Sequence, residues 1–211
     1  MTCYCGSLKP FVAPFPVGIL QHPYEQRNAI ATARMAHLSI QNSRLFVGRD
    51  FTAHLGVNAL LSDTTFRHVM LYPGPDAMDL DDCFQQSPVP DERELFVWVL
   101  DAKWQHVHQM LRMSDNVAKI PMVRFDPVHE SRFIIRKQPK PFCLSTIESI
   151  HVVIDHFFKV RNMPNQEHHA LLDVFQFLVQ QQLEFARVRQ DNRHIRNKSL
   201  WRVQNQDVSP T

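Results

Sequence analysis

Short apolar runs and amphipathic stretches alternate along this chain. Residues 17–20, 44–47, 68–71, 95–100, 122–125 and 132–135 are largely apolar runs of strand length. The amphipathic stretches between them, residues 25–38, 102–113 and 145–158, read as helices, and residues 166–189 as a long final one. Strand and helix in turn at this spacing predict an α/β fold, a mostly parallel sheet with helices on both faces. Leu95-Phe96-Val97-Trp98-Val99-Leu100 is continuously apolar, as a central strand buried on both faces should be. Proline-bearing connections at Pro73-Gly74-Pro75 and Pro139-Lys140-Pro141 punctuate the pattern. No linker divides the chain, so residues 1–211 are expected to form a single domain.

Composition narrows the class. With 44% hydrophobic and 21% charged residues the chain is neither disordered nor fibrous, and 211 residues suffice for one full core. No apolar run approaches the roughly 18 residues of a membrane span, and the start shows no signal-peptide pattern; a cytoplasmic location is expected, with no membrane partner. The five glycines, at 6, 18, 48, 56 and 74, never stand two apart. That excludes both a G-x-G-x-x-G turn and a G-x-x-x-x-G-K loop, and with them ordinary dinucleotide dehydrogenases and P-loop nucleotidases. Cys3-Tyr4-Cys5 has the spacing of half a zinc site, but no second pair accompanies it, so free thiols and no metal are expected.

Charge is uneven. From Arg187 to Arg202 six bases face one acid, a segment of +5, so the rest of a chain of net +2 carries −3. Arg193 and Arg196 lie there with His194 and Trp201, a mixture suited to phosphate contact and base stacking. A solvated tail over 187–211 is the plainer alternative. A second basic cluster joins Arg132, Arg136, Lys137 and Lys140.

In an open parallel sheet ligands sit at the carboxyl ends of the strands. Four segments have the character of that edge. His22-Pro23-Tyr24-Glu25 follows the first strand, where Glu25 equally suits a helix dipole. Tyr72-Pro73-Gly74-Pro75 makes either a stiff turn or a ligand loop. Asp101-Ala102-Lys103-Trp104 ends the most apolar strand; Asp101 could cap the helix at 102 or stand as a fixed carboxylate in a cleft. Ser145-Thr146-Ile147-Glu148 matches a capping box, and a helix start also attracts anions.

In this order the segments resemble the DTW-domain family of tRNA-uridine aminocarboxypropyltransferases, across roughly residues 3 to 160. The matching pieces are Cys3-Tyr4-Cys5, His22-Pro23-Tyr24-Glu25, Ala31-Thr32-Ala33-Arg34, Tyr72-Pro73, Asp101-Ala102-Lys103-Trp104, and Arg136-Lys137 with Leu144-Ser145-Thr146-Ile147-Glu148. The chain departs from the family pattern at Lys103 (threonine or serine in the family), at Ala31 (asparagine) and in lacking an upstream cysteine pair. The resemblance implies a SPOUT-like fold with a C-terminal trefoil knot. It also implies S-adenosylmethionine as donor of a 3-amino-3-carboxypropyl group to N3 of a tRNA uridine.

On that reading Asp101 is the general base for the uracil N3 proton, and Trp104 walls the cofactor pocket or stacks on the uridine. Tyr72, Pro73, Leu100, Arg136, Leu144, Ser145, Thr146 and Glu148 are assigned to the cofactor. His22, Glu25, Arg27, Arg34, Lys137, Arg193 and Arg196 are assigned to RNA, and the partner is tRNA, bound by a monomer. Two other readings use the same residues: a SPOUT-type RNA methyltransferase, and a non-catalytic RNA-binding member of the family.

Overall fold

The computed structural model describes residues 3–28, 30–85, 93–135 and 143–204, the last sixteen of these as helical backbone only. Among the described residues one six-stranded sheet, parallel throughout, organises the chain. Its strands are β1 (Val17–Gln21), β2 (Ser43–Val47), β3 (Phe66–Leu71), β4 (Met78–Asp79), β5 (Glu94–Asp101) and β6 (Met122–Arg124), in the spatial order β2-β1-β5-β3-β6-β4. The helices are α1 (Pro23–Gln26), α2 (Thr32–Ser39), α3 (Leu55–Leu61), α4 (Leu80–Gln85), α5 (Trp104–Met113), α6 (Asp115–Ala118), α7 (Thr146–Val160) and α8 (Ala170–Gln204).

Side-chain alternation divides β5 between two cores. Val97 and Val99 turn to one face, where Met35, Ile147, Ile154 and Val174 bring in α2, α7 and α8. Phe96 and Trp98 turn to the other, against Met110 and Val117 of α5 and α6. Helices thus cover both faces, and the expected apolar run is the sheet's centre, paired with β1 on one side and β3 on the other. Gly18 of β1 leaves room for the Trp98 ring, whose Cζ3 would stand 2.6 Å from a Cβ built there.

Several expected elements differ. The helix expected over 25–38 is two helices, because the Asn28 side chain accepts the Ile30 N–H at 3.2 Å and turns the chain between them. Residues 132–135 form a turn rather than a strand; the Glu148 carboxylate takes the Arg132 N–H at 2.7 Å, and Phe133 packs on Phe175. The helix expected from 102 starts at Trp104 with Lys103 as its N-cap, so Asp101 is a strand end and not a cap. The final helix is preceded by a 3-10 turn, Glu167–His169, and runs on to Gln204, through the basic segment. No helix among the described residues is long and apolar enough to cross a membrane.

Candidate active site

Because every strand runs the same way, the carboxyl ends of the strands share one edge. The register brings Gln21 beside Asp101, with the His22 N–H donating to the Asp101 carbonyl at 2.9 Å. The alternation that points Val97 and Val99 toward α7 points Asp101 there too. Thr146, the first residue of α7, donates its hydroxyl to Asp101 Oδ1 at 2.6 Å, and Gln21 Nε2 donates to Oδ2 at 2.8 Å. Asp101 is 8% exposed, so its carboxylate is fixed by side chains 45 and 80 residues away in sequence.

Next to this carboxylate a cleft of about 490 Å³ opens between the ends of β3, β5 and β6 and the start of α7. Its volume lies in the range of small-molecule sites. Tyr72, Pro73, Leu100, Trp104, Leu144 and Thr146, all expected at the site, line it. Tyr72 and Trp104 hold ring centroids 6.1 Å apart, and the Tyr72 hydroxyl lies 3.2 Å from His108 Nδ1. Gly74 sits under this loop, where a Cβ would stand 2.8 Å from the Met122 sulfur.

Two residues assigned beside them stand behind the cleft. Glu148 is buried and accepts from the Ser145 N–H (2.8 Å), the Ser145 hydroxyl (2.6 Å) and the Ser131 hydroxyl (2.8 Å), besides the Arg132 N–H. It closes the expected capping box and pins the 131–135 turn to α7. Ser145 is buried with it. Arg136 and Lys137 lie outside the described residues.

The residues assigned to RNA separate by burial. His22 is buried; it caps α1 through Nδ1, which accepts the Tyr24 N–H at 3.2 Å, and stacks on His106 at 4.2 Å. Burial, then the His106 ring and the Arg49 guanidinium, hold His22 below the usual imidazole range. Glu25 is buried, whereas Arg27 and Arg34 are exposed. Arg193 and Arg196 lie on α8, where the backbone alone is described.

Sequence reasoning missed two features of this edge. Arg124, the exposed last residue of β6, lines the cleft and offers a guanidinium to an anionic group. Tyr24 is exposed with Arg49 over its ring at 5.2 Å and the His106 ring 5.4 Å away, a cationic and aromatic platform reached from α5 two residues beyond Trp104. Arg124 carries no local motif; Tyr24 lies within the His22-Pro23-Tyr24-Glu25 segment, but its partners Arg49 and His106 are distant in sequence. Cys3 and Cys5 are free and exposed, apart from the cleft.

A protein-family profile described as the DTW domain matches residues 1–183. A curated relative from Drosophila melanogaster, "tRNA-uridine aminocarboxypropyltransferase 2", is 28% identical over 71% of this chain and 59% of its own length. Proteins of the same name from Macaca fascicularis and Mus musculus are 24% identical (94% of this chain, 66% of theirs) and 26% identical (72% and 51%). The chain thus spans about half to two thirds of the length of the curated relatives it matches. No solved structure matches it.

Proposed function

Since the chain belongs to the DTW domain family, we propose that it transfers the 3-amino-3-carboxypropyl group of S-adenosylmethionine to N3 of a uridine in tRNA. The activity for which the three relatives are named supports this reading. The observation that carries it is the buried Asp101 carboxylate, held by Thr146 and Gln21 directly behind an aromatic-walled cleft that its neighbours Leu100, Ala102 and Thr146 line. The donor would supply a sulfonium that activates the carbons bonded to it, and the cleft decides which carbon faces the acceptor.

The cleft fits such a donor by its chemistry as well as its volume. Leu71, Val99, Leu100 and Leu144 offer apolar walls for an adenosine, and Arg124 a charge for the amino-acid carboxylate, a role that Arg136 would share. Tyr72, Pro73 and Thr146 complete the pocket. Ser145 and Glu148 serve it indirectly, by fixing the helix start that presents Thr146.

Asp101 accepts the N3 proton as the new bond forms. Uracil N3–H is a weak acid, so a fixed carboxylate next to the cleft lowers the barrier by taking the proton in place. Trp104 covers the base or the donor with its exposed ring. Reaching N3 requires an unpaired or extruded uridine, which the Tyr24–Arg49–His106 platform would receive by stacking. Arg27, Arg34, Lys137, Arg193 and Arg196 neutralise phosphates around it, with His22 and Glu25 shaping the loop that carries Tyr24.

The same reading takes residues 1–211 as one domain with a basic arm from 187 onward, acting as a cytoplasmic monomer. It also carries a SPOUT-like fold with a C-terminal trefoil knot, for which the all-parallel sheet with helices on both faces supplies the framework.

Unmodified tRNA with S-adenosylmethionine labelled either in the methyl group or in the carboxyl carbon tests the activity. Carboxyl label in the tRNA is expected. Methyl label would make the protein a methyltransferase, and neither label with tRNA still bound would make it a non-catalytic RNA-binding protein.

A further inference from the structure

On the far side of α7 from Asp101, His151 meets His168 and His169 of the 3-10 turn that precedes α8. One ring nitrogen from each lies within 4.8 Å of the others, and His151 Nε2 is 3.1 Å from His169 Nδ1. That separation is close to the edge of a tetrahedron with metal–nitrogen bonds of about 2.0–2.1 Å. His168 adds a second, independent observation. It is 1% exposed; its Nδ1 has no hydrogen-bond partner among the described residues, and its Nε2 has the Asp155 carboxylate at 3.5 Å, too long and poorly aligned for a well-formed bond. A neutral imidazole carries a donor and an acceptor, so a ring buried in this way calls for a ligand.

We propose that His151, His168 and His169 bind one divalent transition-metal ion, Zn²⁺ by the nature of the donors, at the junction of α7 and α8. Three imidazoles suit a borderline-soft ion and suit Ca²⁺ or Mg²⁺ poorly. Asp155 stands one turn along α7 from His151, with Oδ1 3.5 Å from His168 Nε2 and Oδ2 held by Lys159 at 2.6 Å. A carboxylate behind a ligating histidine fixes its ring and raises its basicity, which is the part Asp155 plays. His151 and His169 also line a cleft of about 800 Å³, which gives the ion its way in and leaves a fourth position for water. The bound ion would staple α7, whose first residue holds Asp101, to the base of α8. The site shares no residue with the cleft beside Asp101, so it stands or falls apart from the transfer activity.

The test uses the full chain carrying Cys3→Ser, Cys5→Ser and Cys143→Ser, stripped with chelator, so that accessible thiolates cannot supply the signal. Zn²⁺ is titrated in competition with a chromophoric chelator, and Co²⁺ is followed by its visible absorption. One equivalent of Zn²⁺ with Kd near or below ~1 μM, and a tetrahedral Co²⁺ spectrum, are expected. His169→Ala, a change at an exposed residue that leaves the fold intact by circular dichroism, should weaken Zn²⁺ by about 100-fold. Absence of stoichiometric binding in the parent would overturn the site and leave His151 and His169 as a simple hydrogen-bonded pair. Binding that survives His169→Ala unchanged would overturn it as well.

Discussion

Thr146 Oγ1 lies 2.6 Å from Asp101 Oδ1, joining the first turn of α7 to the last residue of the central strand. A hydroxyl donated to a carboxylate is worth about 1.5–3 kcal/mol when the partner is held in place. Its use here is orientation, since Gln21 holds the other oxygen. Thr146→Val keeps the branched shape and removes the donor. The proposed aminocarboxypropyl transfer should fall by about tenfold or more, Tm should drop by several degrees, and Thr146→Ser should restore most of both. Wild-type turnover in the valine variant would remove Thr146 from the catalytic arrangement.

His22 makes a second, pH-dependent prediction. Its Nδ1 accepts the Tyr24 N–H, so the ring caps α1 only when that nitrogen is unprotonated. Its folded pKa is depressed by burial, so the unfolded chain binds the proton more readily than the folded one. The stabilising contribution is complete above about pH 6.5, the ordinary histidine value, and is lost as the pH falls below it. His22→Asn keeps a capping acceptor and does not titrate. Urea unfolding at pH 7.5, 6.5 and 5.5 should show the wild type losing stability relative to His22→Asn on acidification. A constant difference across that range would refute the assignment.

Gly18 tests the packing of the central strand. A Cβ there would stand 2.6 Å from Trp98 Cζ3 and 2.8 Å from Phe96 Cε1, both rings fully buried. Gly18→Ala should cost about 1–3 kcal/mol, as overpacking does, or about 2–4 °C in Tm for each kcal/mol in a chain of this size. Trp98→Phe shortens the clashing ring, so the double variant should lose less than the sum of the two single ones. Strict additivity would mean that the two residues do not compete for the same space.

Much of this arrangement was legible in the sequence, and the reason is local. A parallel sheet sends all its carboxyl ends to one edge, so segments that follow strands could be assigned to that edge without tertiary information. Tyr72, Asp101 and Trp104 were found in this way. The partners that fix Asp101 were not, because Gln21 is an unremarkable strand end and Thr146 was read as part of a capping box. Arg124 and Tyr24 became visible only once strand order and helix contacts were known. The apolar run at 132–135 misled for the converse reason: Phe133 is buried, but on α8 and not in the sheet. His151 and His168 stand 17 residues apart on two elements, a spacing with no local signature.

The basic stretch on α8 makes the last prediction. As read from the sequence it is either an RNA contact or a solvated tail, and a helix running to Gln204 carries Arg193 and Arg196. Phosphate contact and solvation differ in their dependence on salt. Each phosphate neutralised releases condensed counterions, so the slope of log K against log salt grows by about 0.7 for single-stranded and about 0.9 for duplex contacts. The double variant Arg193→Gln, Arg196→Gln should therefore bind tRNA more weakly, with a slope reduced by about 1.4–1.8 when both residues touch phosphate. Glutamine preserves helix propensity, which keeps the backbone of α8 as a constant. Such contacts carry little sequence information, so affinity for an unrelated tRNA should fall in parallel. Fluorescence anisotropy of labelled tRNA from 50 to 300 mM KCl gives both quantities. An unchanged slope would make these arginines a solvated surface and would shift the work of binding to Arg27, Arg34 and the platform around Tyr24.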